Sequence, residues 1–303
     1  MKHLARYSEA AVAPVRIIDQ WLANRTAGTV RQYKQAMSSF CAWSGLEDAE
    51  HFLRRFSEIP MAGGCLALAD WRDQLVQDGL APATINGRLS AIRSFLKLGH
   101  MLGALPCAPT VENVKACDVR DSRGPSAEAF NALLAQASED ESWEGARALA
   151  VIRLLHDLGL RRAEVCSLDL ASIDQAQRQM LVVRKGGAAV WLSIPQLTFN
   201  AVFAWIAHRG DSVGPLLQSA TGKRLSGEDI RRIIKKAAGN LPGRWNPHGL
   251  RHRGITAAAA VTGGDLRKVI AFSGHKDVRT VQRYIDDVED LQGDVANQVA
   301  GNA

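Results

Sequence analysis

The sequence predicts a mainly α, α+β chain in two domains: an all-helical N-terminal domain over residues 10–102, a linker at 103–124, and a mostly helical domain over 125–303 holding a small antiparallel β-sheet. Three observations predict it. Apolar residues recur at helical spacing through the first domain. That periodicity fades into a proline-marked polar stretch, and beyond it helical patterns resume, interrupted by two β-branched runs around Gly186-Gly187. With 303 residues, 47% of them hydrophobic, the chain is long enough for two cores.

In the first domain, Thr29-Val30-Arg31-Gln32 offers a capping-box start. After it Tyr33, Met37, Phe40 and Cys41 fall at i, i+4, i+7 and i+8, the period of an amphipathic helix. A second helix is expected from about Leu66 to Val76, closed at Asp78-Gly79. A third follows Ala81-Pro82, with Ile85, Leu89, Ile92, Phe95 and Leu96 as its apolar stripe and Arg88, Arg93 and Lys97 on other faces. Those three cations are candidate DNA contacts, although a solvated helix face would carry the same residues. The segment Ala104-Leu105-Pro106-Cys107-Ala108-Pro109-Thr110 and the polar run to Gly124 read as the linker.

In the second domain, Glu144 to Leu158 reads as a buried helix ending at Gly159. Met180-Leu181-Val182-Val183 and Val190-Trp191-Leu192-Ser193-Ile194 give the hairpin, with Lys185 at its turn, and a helix is expected from about Gln196 to Ala207. Ser226 can cap the next helix, whose apolar face is Ile230, Ile233, Ile234 and Ala237. Its other face carries Arg231, Arg232, Lys235 and Lys236 with no acid between them, which suits neutralising phosphates and reaching base edges. Asn246-Pro247 opens a further helix as cap and first-turn proline. Another is expected from Asp265 to Phe272, and a last one carries Val278, Val281, Tyr284, Ile285 and Val288.

The chemistry concentrates in this second half. In Pro247-His248-Gly249-Leu250-Arg251-His252, His248 and Arg251 stand at i and i+3, on one face of a helix. There an imidazole can move a proton while a guanidinium forks onto two phosphate oxygens. Gly274-His275 follows and, nine residues after that histidine, Tyr284, whose hydroxyl could attack the same phosphorus. Upstream, Leu158-Gly159-Leu160-Arg161-Arg162-Ala163-Glu164-Val165 supplies a second arginine in a Gly-Leu-Arg-x-x-Glu frame. Each residue alone has an ordinary reading. Arg161 and Glu164 form a helix ion pair, Lys185 is a turn lysine, His275 a loop histidine and Tyr284 a core tyrosine. Breaking a phosphodiester calls for positive charge around the phosphorus, and two guanidiniums can supply it without the clustered carboxylates that hold a metal pair. No metal site and no cofactor are expected.

Arg161, Lys185, His248, Arg251, His275 and Tyr284, in that order and at these separations, resemble the tyrosine recombinase or phage-type integrase family, over about residue 125 to the early 290s and more loosely over the first hundred. The resemblance implies a site-specific recombinase in which Tyr284 is the nucleophile, Lys185 protonates the leaving 5′ oxygen and His275 donates to a non-bridging oxygen. It implies a 3′-phosphotyrosyl intermediate and strand exchange through a Holliday junction. It also implies a homotetramer on double-stranded DNA sites, with a second recombinase or an accessory protein as an open question. The two domains would cover opposite faces of the duplex. The tail positions Leu291, Val295 and Val299 would form a helix docking on a neighbour, or a frayed terminus. With no room before residue 10 for an arm-binding domain, a simple recombinase of the Xer or plasmid and transposon type is expected. Arg162, Ala163 and Arg253 depart from the family's usual residues, and Asp286 and Asp287 put carboxylates close behind the nucleophile.

The formal charge of +6 agrees with a polyanion partner. Cys41, Cys65, Cys107, Cys117 and Cys166, scattered and without a Cys-x-x-Cys pair, argue for a reducing compartment. The run Ala148 to Leu160 is broken by Arg153, His156 and Asp157, well short of the roughly 20 apolar residues a membrane span needs. A cytoplasmic protein with no membrane partner is expected. Two rivals stay open: a type IB topoisomerase-like enzyme that reseals the same strand, and a catalytically silent DNA-binding regulator.

Overall fold

The computed structural model describes residues 14–115, 124–184, 186–275 and 277–286. Lys185, Cys117, Asp287, Val288 and the tail positions Leu291, Val295 and Val299 lie outside the described residues, as do the side chains of Ile285 and Asp286. The chain is mainly helical with one three-stranded antiparallel sheet, and it divides into two compact units at residues 120 and 121.

The first unit contains α1 (Pro14–Leu22), α2 (Ala27–Ser44), α3 (Ala49–Glu58), α4 (Met61–Gln77) and α5 (Pro82–Met101). Helix α2 begins earlier than the capping-box reading placed it. The cap is Thr26, whose hydroxyl accepts from the Thr29 amide, so Thr29 is the capped residue and not the cap. Helix α3, which the sequence reading did not separate, starts where the Asp48 carboxylate accepts from the amides of Glu50 and His51. It buries Phe52, Leu53 and Phe56. These join Trp21, Phe40, Trp71 and Phe95 in an aromatic core, with Phe52 stacked on Phe56 at 4.2 Å and Phe40 edge-on to Trp71 at 5.0 Å.

The segment expected to be a linker starts as part of this unit. Leu105 is buried, Val111 and Val114 pack against the aromatic core, and Asn86 makes two hydrogen bonds of 2.9 Å with the backbone of Val114. Arg93 completes the attachment by donating to Val111 O at 2.9 Å and Asn113 Oδ1 at 2.7 Å.

The second unit is organised around α7 (Trp143–Asp157), which packs between α6 (Ala127–Glu139), α9 (Gln196–Arg209), α10 (Gly227–Ala238) and α11 (Pro247–Val261). Its Ala150, Val151, Ile152, Leu154 and Leu155 are fully buried, which is why its sequence is apolar nearly all round. A short helix α8 (Arg162–Ser167) leads to β1 (Ile173–Asp174), β2 (Gln179–Val183) and β3 (Ala189–Ser193), in the spatial order β1-β2-β3. The hairpin expected from the two β-branched runs is present, β2 and β3 pairing Val183 with Ala189 and Gln179 with Ser193, and β1 is an addition too short to show a period. Ser226 caps α10 and Asn246 caps α11, each side chain accepting from the amide three residues on. Helices α12 (Leu266–Ser273) and α13 (Val278–Asp286) close a small satellite core of Ile255, Ala259, Val269, Val281 and Tyr284. No helix among the described residues is long and apolar enough to cross a membrane.

Candidate active site

The site is built where α7 ends. Gly159 turns the chain out of α7 with φ +55°, a left-handed conformation that disfavours a side chain, and an added Cβ would sit 2.9 Å from the Phe272 ring. The turn leaves its carbonyl facing α11, where the Arg251 guanidinium donates to it. Arg251 is 4% exposed and also donates to the carbonyl of Ser273 at 2.6 Å. A third contact, 3.2 Å, runs to Nε2 of His275.

Arg161 stands directly before α8 and is fixed by a residue in the first turn of that helix. Glu164, 4% exposed, accepts the Arg161 amide on Oε2 at 2.8 Å and the Arg161 guanidinium on Oε1 at 3.0 Å. The other arm of the guanidinium reaches the Gly274 carbonyl at 3.3 Å. The ordinary ion-pair reading of these two residues therefore holds, and the pair is part of the site. A cavity of about 510 Å³ opens here, lined by Arg161, Arg251, His248 and His275 together with Arg162 and Arg231. The two guanidiniums that the sequence separates by ninety positions thus face one space.

Burial and charge tune these groups together. Burial, with Arg161 adding to it, draws Arg251 down to about 10, so it stays charged at neutral pH. His275 is pushed down to about 4 by burial first and then by Arg251, Arg161 and Arg184, against the opposing pull of Glu164. His248 is lowered by burial and then by Arg251. Both imidazoles are therefore neutral at pH 7, able to accept a proton or donate a neutral hydrogen bond. Tyr284 is 7% exposed, with its ring 5.9 Å from that of His275 and 4.5 Å from that of His252. It stands beside the cavity wall, packed in the satellite core.

Three neighbours of this site were missed in the sequence: Glu164 as a shared acceptor, His252 against the tyrosine, and Arg184. Glu164 had a signal, since an acid three residues after a helix start reaches back to the first free amides. Arg184 had none beyond standing next to Lys185, because its contact crosses twenty positions. Among the described residues no three His, Cys, Asp or Glu side chains come together as a metal-holding group.

The expected DNA contacts behave unevenly. Arg93 donates to Val111, Asn113 and Leu89 of its own unit, so its guanidinium also tethers the segment that returns along α5. Arg88 donates to Ser39 Oγ at 2.9 Å along a groove between α2 and α5, and Lys97 is exposed. On α10, Arg231 pairs with Glu228, Arg232 with Asp229, and Lys236 with Glu144 at 2.6 Å. The acids that open the helix thus partly neutralise the cations that follow, which counting only the stretch between those cations had overlooked. Lys235 is exposed on the same face.

The model of the family described as "Phage integrase family" matches residues 126–290. A curated tyrosine recombinase of Synechococcus elongatus is 31% identical over 317 residues, covering 98% of each chain. Another, from Synechocystis sp., is 32% identical and covers 91% of each. Among solved structures, the Tn1549 transposon integrase in complex with transposon right end DNA has a TM-score of 0.66 at 16% identity, over 90% of this chain and 94% of that one. A lambda integrase dimer bound to a COC′ core site gives 0.63 at 16% identity, over 96% of this chain and 82% of that one. At those identities the structural likeness establishes the fold.

Proposed function

The chain belongs to the phage integrase family of tyrosine recombinases, and from that premise we propose that it cuts and rejoins DNA through a 3′-phosphotyrosyl link to Tyr284, exchanging strands through a Holliday junction. The observation that carries the reading is the shared cavity: Arg161 and Arg251 bring fixed positive charge to the space that neutral His248 and His275 also face. In the reaction the Tyr284 oxygen forms a bond to phosphorus while the bond to the 5′ oxygen breaks. His248 takes the phenol proton. The departing oxygen takes a proton from Lys185, and the guanidiniums and His275 hold the oxygens on which charge builds. A 5′ hydroxyl of another strand reverses the step, so the bond energy is conserved. The partner is double-stranded DNA carrying recombination sites, engaged by a homotetramer in the cytoplasm, and the first unit adds a DNA-binding surface with Arg88 and Lys97.

The test is a pool of nicked suicide duplexes with randomised centres. Wild type is expected to leave a detergent-resistant protein–DNA adduct that disappears in Tyr284→Phe, and sequencing the trapped DNA gives the site. Retarded migration of the pool with no adduct would replace this reading by that of a silent regulator. Adducts that only reseal their own strand, never joining two sites, would replace it by that of a topoisomerase-like enzyme.

A further inference from the structure

We propose that Arg184 is a positioning residue for strand cleavage, holding Arg161 in place through the shared carboxylate of Glu164 and the Gly274 backbone. The inference rests on the recombinase reading above and deepens it.

Arg184 follows β2 directly. Its amide donates to Ala188 O at 2.7 Å and its carbonyl accepts from Gly187 at 2.9 Å, so its backbone closes the β2–β3 connection in which Lys185 is the next residue. Its side chain leaves the sheet and is only 10% exposed. The guanidinium meets Glu164 Oε2 at 3.1 Å, on the same oxygen that accepts the Arg161 amide. It also lies under Gly274, where an added Cβ would be 2.9 Å from its Cζ, and Gly274 has φ +60°, so two constraints keep that position without a side chain. Gly274 is the residue whose carbonyl accepts the other arm of Arg161. Arg184 therefore touches both supports of Arg161.

The electrostatics call for such an arrangement. Arg161 and Arg184 share one buried carboxylate with Arg251 near enough to feel its charge, and three guanidiniums repel one another unless geometry holds them apart. With Glu164 braced from the Arg184 side, its second oxygen faces Arg161 alone. Removing Arg184 frees the carboxylate to rotate or to draw Arg161 inward, away from the cavity. Misplacing a phosphate-binding group by about 1 Å can cost about 100-fold in rate.

The experiment uses the full chain and the duplex that wild type traps best from the randomised pool. Single-turnover adduct formation is measured at saturating DNA, and DNA affinity is measured separately in a Tyr284→Phe background. Arg184→Gln is expected to slow adduct formation by about 10- to 100-fold while affinity stays within about 3-fold. Arg184→Lys, which keeps a charge at the carboxylate, should recover part of the rate, and it also serves as the folded variant if the glutamine form unfolds in a urea titration. In a Glu164→Gln background, removing Arg184 should cost less than it does in wild type, because the carboxylate path is already lost and only the contact under Gly274 remains. Rates equal to wild type, a loss confined to affinity, or losses that multiply in the double variant would each overturn the proposal. Failure of wild type itself to form an adduct would instead remove the functional reading on which it rests.

Discussion

The Arg251 guanidinium lies 3.2 Å from Nε2 of His275, and since an arginine can only donate, that contact makes Nε2 the acceptor and leaves the imidazole proton on Nδ1. Nδ1 is itself buried with no hydrogen-bond partner among the described residues, so its N–H is a donor left unsatisfied. Nitrogen-15 NMR of the histidines is expected to show His275 protonated on Nδ1 alone at neutral pH, titrating only near pH 4. In Arg251→Gln the nearest cation is gone, and the titration should move up toward the ordinary value of about 6.5.

Acid stability follows from the same shift. The unfolded chain binds a proton at His275 near pH 6.5, whereas the folded chain resists it down to about 4, so falling pH favours unfolding. His248, also lowered, acts in the same direction. The contribution is intact above about pH 6.5 and drains away as the pH falls toward 4. Urea midpoints between pH 7.5 and 4.5 should decline, and His275→Gln should decline less over that window. A mutant slope as steep as wild type would show that other groups govern acid unfolding.

How far the sequence announced this arrangement depends on whether a feature is local. The caps Ser226 and Asn246, the long apolar helix α7 and the β2–β3 hairpin were legible because spacing and turn residues act within a few positions. The gathering of Arg161, His248, Arg251 and His275 was legible only as a resemblance, since no periodicity reports that α7, α11 and the end of α12 meet. Arg93 shows the limit in the other direction. On the helix it is a cation off the apolar stripe, and only the returning segment at Val111 and Asn113 reveals its partners. For α10 the pairing acids were in plain view at Glu228 and Asp229, but one turn ahead of the cations, the distance at which helix ion pairs form.

Those pairs bear on α10 as a proposed DNA contact. Arg231 lines the cavity rim while bound to Glu228, so a phosphate must compete with a carboxylate for it. An exposed pair of this kind is weakened by solvent and salt. Glu228→Gln is therefore expected to tighten DNA binding by up to about 5-fold, measured by fluorescence anisotropy in low salt. Lys235→Ala should weaken binding and reduce the dependence of log affinity on log salt by about one phosphate contact if it neutralises one. An unchanged slope would remove Lys235 from the interface.

Two glycine-to-alanine changes should shift stability in opposite directions, because one glycine is a packing contact and the other is not. Gly254 lies where α11 crosses α7, and a Cβ there would enter the space of the His156 carbonyl, 2.9 Å from its carbon. Neither partner is a flexible side chain, so the helices must separate. Overpacking of this kind costs about 1–3 kcal/mol. Because α11 carries His248 and Arg251 while the end of α7 presents the Gly159 carbonyl that holds Arg251, the displacement reaches the cavity, and Gly254→Ala should slow adduct formation as well as lower the urea midpoint. Gly87 sits in mid-α5 with nothing within 4 Å of an added Cβ. There alanine only removes backbone freedom from the unfolded chain, and Gly87→Ala should stabilise by about 0.4–1 kcal/mol without touching cleavage. Equal effects of the two substitutions would mean that α11 and α7 are not in the close contact that places the guanidinium.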